Sequence, residues 1–203
     1  MHSHMPSSGA AGSDPGGGPA RGSPRPGGPG IGSRRADGPT AGAARGESAG
    51  ALEIRGAVPG EGGAARAIVQ RAYEGYVARM GRRPAPMDDD YAARVWGGQV
   101  DLAVLAGEPV GVIVMVRGAD HLLIENVAVD PVRQGQGIGR ALLAHAERVA
   151  ADGGLGELRL YTNAAMTENL ELYPRLGYVE SGRRREHGFD RVFFVKPTPR
   201  SAP

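Results

Sequence analysis

The chain contains no cysteine. That removes disulfides, thiolate metal sites and a cysteine nucleophile from consideration, and it fits a reducing cytoplasm. Lysine is almost missing too, with Lys196 the single example against many arginines, which is a compositional bias rather than a function. No stretch of about eighteen consecutive apolar residues occurs, so no membrane-spanning helix is expected. The first residues, Met-His-Ser-His-Met-Pro, lack the apolar run of a secretion leader. His2 and His4 are too isolated to define a metal site.

Large apolar residues are also scarce in the first quarter of the chain. Residues 1–50 hold 14 Gly, 7 Pro and 7 Ser, with only Met1, Met5 and Ile31 as large apolar side chains. Such a segment cannot bury enough surface to offset its ordering entropy, so a disordered tail is expected over 1–50 and one domain over 51–203. The net charge of +2 belongs to that tail, which carries five Arg against two Asp and one Glu, and leaves the domain neutral. A neutral domain argues against nucleic acid as a partner.

The remainder alternates between strand and helix signals. Leu52–Arg55 reads as a strand. Ala64–Met80 reads as a helix stopped by Gly81, and a shorter helix runs to about Trp96, with Asp88, Asp89 and Asp90 at its positive end as capping residues. Val100–Ala106, Val110–Val116 and Leu122–Val129 are strands joined by hairpin-length turns. A helix over 139–151, a strand at Leu158–Tyr161, a helix over 167–176 and a last hairpin of 178–185 with 191–195 complete the order. It predicts a mixed α/β fold, a largely antiparallel sheet of about seven strands flanked by about four helices.

The chemistry concentrates where the strand ending Asn126-Val-Ala-Val129 runs through Asp-Pro into Gln134-Gly-Gln-Gly-Ile-Gly-Arg140 and a helix. Glycines at 135, 137 and 139 leave backbone amides unobstructed at a helix N-terminus, a cradle for phosphate. The spacing is not the Gly-x-Gly-x-x-Gly of a dinucleotide fold, and the Gly-Lys-Ser/Thr of a P-loop is absent. What remains is Gln134-x-x-Gly137-x-Gly139.

At these residues the chain resembles the GCN5-related N-acetyltransferase superfamily, with its pyrophosphate signature Gln/Arg-x-x-Gly-x-Gly/Ala. Leu172-Tyr173-Pro-Arg-Leu-Gly177-Tyr178 is similar to the family's second signature, about 35 residues on and past one strand. The likeness covers residues 51–196 and implies the acyl-CoA N-acyltransferase fold and acetyl transfer from acetyl-CoA to a primary amine by direct attack, with no metal.

The resemblance also implies roles. The amides of Gln134, Gly135, Gln136, Gly137, Ile138, Gly139 and Arg140 would hold the pyrophosphate, with the Arg140 side chain adding charge. Main-chain groups of Val127, Ala128 and Val129 would pair with the pantetheine arm. Tyr173 would protonate the departing thiolate, a task suited to a phenol whose ordinary pKa is about 10. Glu125, two residues before Val127 and so expected on the same strand face, would be the base, with His121 a weaker candidate. The family's asparagine seven residues before the tyrosine is Met166 here, so Asn169, or Asn163, is expected to replace it. Pro174 is expected to bend the helix that carries Tyr173.

The acceptor side would be built from Tyr73, Tyr76, Arg79, Arg82, Asp88–Asp90, Trp96 and Arg183–His187, whose mixed charge names no acceptor residue. A small amine or amino acid is the first expectation for the substrate, a protein N-terminus or lysine the alternative. A non-catalytic acyl-CoA-binding module is the rival reading. Dimers are common in the resembled family, which leaves a homodimer as a further expectation.

Overall fold

The computed structural model describes residues 50–198, so all but the last residue of the expected disordered tail lies outside the described residues. Seven strands and four α-helices follow one another as β1 (Glu53–Gly56), α1 (Gly62–Met80), α2 (Tyr91–Trp96), β2 (Val100–Leu105), β3 (Glu108–Arg117), β4 (His121–Val129), α3 (Ile138–Asp152), β5 (Glu157–Asn163), α4 (Thr167–Arg175), β6 (Val179–Glu186) and β7 (Phe189–Pro197). Short 3-10 turns at Ala85–Asp88 and Pro131–Arg133 complete it. The sequence-based order is reproduced, with most boundaries moved by one or two residues.

Local chemistry explains the punctuation. Gly81 ends α1 in the left-handed conformation, at φ 65°, which glycine adopts without a Cβ penalty. Asp90 caps α2, its side chain accepting from the amides of Ala92 and Ala93. Asp89 instead pairs with Arg94, and Asp88 with Arg83, so only one of the three aspartates caps through its side chain. Pro174 stands in the last turn of α4 and the helix stops one residue later. The expected bend becomes a termination.

The sheet order is β1-β2-β3-β4-β5-β7-β6. Every neighbouring pair is antiparallel except β4 with β5. One core lies between the sheet and α3 with α4, centred on Leu142, Leu158 and Phe194. The other lies under α1 and α2, centred on Ile68, Val69 and Tyr91. Burying a leucine such as Leu142 contributes roughly 1.5–3 kcal/mol. Among the described residues no helix is long and apolar enough to cross a membrane.

Two features of β4 make the site. Its parallel pairing with β5 begins at His121↔Glu157 and stops at Ile124↔Leu160. Beyond that point β4 stays on β3 while β5 stays on β7, so the strands part and a cleft opens between them. At the same place the register with β3 slips. Val114 pairs with Asn126 and Met115 with Ile124, so Glu125 is the extra residue of a β-bulge.

The bulge exchanges the faces of the strand. Leu122 and Ile124 pack in the α3–α4 core, whereas past the bulge Val127 and Val129 pack there and Ala128 turns to the α1–α2 core. Glu125 therefore does not share the face of Val127, as simple alternation had predicted. It points to the α1–α2 side, where its Oε2 lies 2.7 Å from Nη2 of Arg94. That contact is an ion pair whose alignment falls short of a hydrogen bond.

Candidate active site

The glycine turn prepares a row of unpaired amides. Gly135 and Gly137 have φ of 78° and 81°, and Gly137 is the N-cap of α3 with no side chain capping the helix. The Gln134 amide is engaged by the Pro131 carbonyl at 3.3 Å, and the Ala141 amide by Gly137 at 3.0 Å. Between them, the amides of Gly135 through Arg140 have no partner among the described residues. Six such donors at the positive end of a 15-residue helix make an anion site.

The glycines themselves fall into two kinds. At 135 and 137 the backbone conformation requires glycine. At Gly139 it does not, and an added Cβ would meet only Val129 Cγ2 at 3.6 Å, an ordinary contact. Glycine at 139 answers no need of the protein's own packing, which leaves the approach of something outside the chain as its reason.

A cleft of about 620 Å³ spreads over this turn and runs to Tyr173. Its charged lining consists of Arg133 and Arg140, with no carboxylate. The amides, the open glycines and the wholly positive charge fit the pyrophosphate of coenzyme A.

Further along, β4 offers its free edge. The Asp130 amide donates to Val110 of β3 at 2.9 Å. By antiparallel alternation the amides of Asn126 and Ala128 also face β3, and those of Val127 and Val129 face the cleft. The Val129 carbonyl, on that same side, accepts from Nε2 of Gln134 at 3.2 Å. Of the three expected pantetheine contacts, Val127 and Val129 turn their main-chain groups to the cleft and Ala128 turns its own to β3.

Tyr173 is held firmly despite Pro174. Its carbonyl accepts from the amides of Leu176 at 3.0 Å and Tyr178 at 3.1 Å. Its ring packs at 5.8 Å on Tyr178 and 5.4 Å on Phe194. Burial pushes its phenol up to about 12, so it keeps its proton throughout the neutral range. The hydroxyl has no hydrogen-bond partner among the described residues.

A second, smaller cavity of about 60 Å³ lies on the other side of Tyr173. It is bordered by Glu125, Asn126, Tyr161, Arg191 and the Pro84–Pro86 connector. Tyr73, Val127, Met166, Asn169 and Tyr173 border both cavities, so the two meet at the bulge. Among the described residues no cluster of His, Cys, Asp and Glu is placed to hold a metal ion.

Other expected residues are distributed unevenly. Asn169 borders the junction but gives its amide to Thr162 Oγ1 at 3.0 Å, which leaves its carbonyl oxygen for a ligand. Asn163 accepts from the Ala165 amide through Oδ1 at 2.9 Å and borders only the smaller cavity. His121 pairs with Asp120 at the far end of β4. Trp96 is 84% exposed at the end of α2 and borders neither cavity.

Sequence reasoning gave no role to Asn126, Tyr91 or Arg94, which the bulge and α2 bring to the junction. One signal was present. Glu125-Asn126 are two adjacent polar residues inside an apolar strand, which strict alternation does not accommodate and a bulge does.

A positively lined cradle at a helix N-terminus, beside a split between two parallel strands, is the site expected from the resemblance to N-acetyltransferases that use acetyl-CoA. Comparison with known proteins agrees. The acetyltransferase (GNAT) family pattern matches residues 65–178, and the chain belongs to that family. It is 38% identical over 68 residues to the ribosomal protein bS18-alanine N-acetyltransferase of Escherichia coli, a match spanning 34% of this chain and 46% of that protein. The aligned part is thus about half the length of the relative.

Among solved structures, the PaiA N-acetyltransferase of Thermoplasma acidophilum in complex with coenzyme A superposes with a TM-score of 0.62 at 16% identity, covering 72% of this chain and 99% of that one. The ribosomal-protein-S18-alanine N-acetyltransferase of Escherichia coli superposes at 0.57 with 24% identity, covering 75% and 97%. Both share the fold.

Proposed function

We propose that the chain moves the acetyl group of acetyl-CoA to a primary amine by direct attack, the acceptor being a small amine or amino acid. The observation that carries this reading is the junction of two cavities at Val127 and Tyr173, a larger cleft over the glycine turn that supports a donor site and a compact one that supports an acceptor site.

In this reading acetyl-CoA supplies an activated acetyl carbon. The Gly135–Arg140 amides hold its pyrophosphate and the cleft edge of β4 holds its arm. The Val127 amide faces the thioester oxygen and stabilises the negative charge that grows there. The amine nitrogen bonds to the acetyl carbon, the carbon–sulfur bond breaks, and Tyr173 gives its proton to the leaving sulfur. Glu125, the carboxylate bordering the acceptor cavity, receives the proton lost by the amine, through water. Asn169 accepts a hydrogen bond from the pantetheine arm.

A second reading, acetylation of a protein N-terminus, is favoured by two observations. The Escherichia coli relative named above acts on an alanine of a ribosomal protein. In addition, the acceptor cavity continues onto a sheet face over β5, β7 and β6, with Glu125, Leu160, Tyr161 and Arg191 bordering both that face and the cavity.

The test is to incubate the full chain with acetyl-CoA and two panels, small amines with amino acids and short peptides with free N-termini, and to read products by mass. Acetylated products in the first panel support the first reading. Products confined to peptides support the second. Tight coenzyme A binding with no product in either panel returns the chain to a binding module.

A further inference from the structure

We propose that Tyr73 recognises the acceptor amine, its hydroxyl oxygen serving as a fixed hydrogen-bond acceptor that orients the attacking nitrogen. The assignment rests on the acetyl-transfer reading above and adds to it the residue that positions the second substrate.

Four groups form a chain of hydrogen bonds whose direction is fixed at one end. The Pro86 carbonyl can only accept, and Tyr91 Oη lies 3.0 Å from it. Tyr91 has one hydroxyl proton, so that proton goes to Pro86 and its oxygen is left to accept. Asn126 Nδ2 donates to that oxygen at 3.0 Å. The Asn126 side chain is thereby oriented, with Oδ1 toward Tyr73 at 2.7 Å. Tyr73 must donate its own single proton to Oδ1.

The free end of the chain is therefore the lone pairs of Tyr73, which can only receive a hydrogen bond. Tyr91 is 1% exposed and Asn126 6%, so water does not compete for the inner links. Burial, then the neighbouring Tyr173 and Tyr91, hold the Tyr73 phenol well above its ordinary range, which keeps its proton on Asn126.

That one-way character selects the partner. Tyr73 borders both cavities beside Val127 and Tyr173. The thioester oxygen and sulfur have no proton to offer. The attacking neutral amine brings two N–H groups and, with the Tyr173 proton committed to the leaving sulfur, is the donor left for Tyr73 at the reacting centre. The β-bulge is what makes this possible, because it turns Asn126 to the α1–α2 side immediately before Val127 opens on the cleft.

The test uses Tyr73→Phe in the full chain, which keeps the ring and its packing and removes only the hydroxyl. The acceptor KM is expected to rise about tenfold, the loss of one hydrogen bond, with the KM for acetyl-CoA unchanged. Asn126→Ala, which releases the Tyr73 proton, is expected to move the acceptor KM in the same direction, and the double variant to be no worse than the worse single one. A trimethylammonium analogue of the acceptor, having no N–H, is expected to inhibit wild type and Tyr73→Phe equally.

An unmoved acceptor KM in Tyr73→Phe, with turnover intact, overturns this assignment alone. A rise in the acetyl-CoA KM instead overturns it by giving Tyr73 to an amide of the pantetheine arm. If the wild-type chain acetylates no amine, the reaction and this assignment fall together.

Discussion

Gly139 separates what the fold needs from what the ligand needs. Its neighbours at 135 and 137 hold positive φ, and replacing either with alanine strains the backbone by roughly 1–2 kcal/mol. Gly139 is under no such constraint and has room for a methyl group. Gly139→Ala is expected to leave the thermal midpoint unchanged or slightly higher, since alanine favours helix. A larger side chain there, as in Gly139→Leu, should raise the acetyl-CoA KM about tenfold, because unlike the alanine that the signature admits it obstructs amide contacts to a charged phosphate. Differential scanning fluorimetry beside a donor titration reads both. An unchanged donor KM would place the pyrophosphate elsewhere.

At the scale of elements, what the sequence showed and what it concealed divide cleanly. Helix ends set by local chemistry, such as Gly81 and Asp90, were legible. So were the order of strands and the glycine turn. The bulge at Glu125 and the separation of β4 from β5 were not, because they depend on which distant strand each follows. β5 stays on β7, a pairing made after more than 25 further residues, and no local pattern in β4 announces it. As a result Tyr173 and the glycines lie on one cleft as the sequence order suggested, while Glu125 lies on the other face from the one expected and the Tyr73–Asn126–Tyr91 chain was missed.

The β1–α1 corner gives an element-scale test. Glu61 accepts from Arg55 at 2.9 and 2.8 Å and from the Val58 amide at 2.8 Å. These bonds, the Arg55 pairing foremost, lower its carboxyl to about 2 from an ordinary 4.5. A lowered folded-state pKa stabilises the fold above pH 4.5, and that contribution fades as pH falls toward 2. Urea midpoints measured across this range should fall more steeply for wild type than for Glu61→Gln. Parallel curves would show that the corner contributes nothing.

For the whole molecule, two cores on opposite faces of one sheet hold two adjoining cavities against a common wall. The α3–α4 side presents the glycine turn and Tyr173. The α1–α2 side presents Tyr73, Asn126 and Glu125. β4 crosses from one to the other at its bulge, so a single strand lines both cavities, which in the proposed reaction brings acceptor and donor within reach of each other. The burial that raises Tyr173 to about 12 also suits this arrangement, since a phenol that stays protonated is available to the leaving sulfur at every pH where an amine can attack.

The central claim, that Tyr173 gives its proton to the departing thiolate, is tested most directly by Tyr173→Phe with the best acceptor of the panel, following free coenzyme A. The variant is expected to bind acetyl-CoA as wild type does, by calorimetry, and to lose about a hundredfold or more in kcat. Binding retained with kcat unchanged would contradict the account.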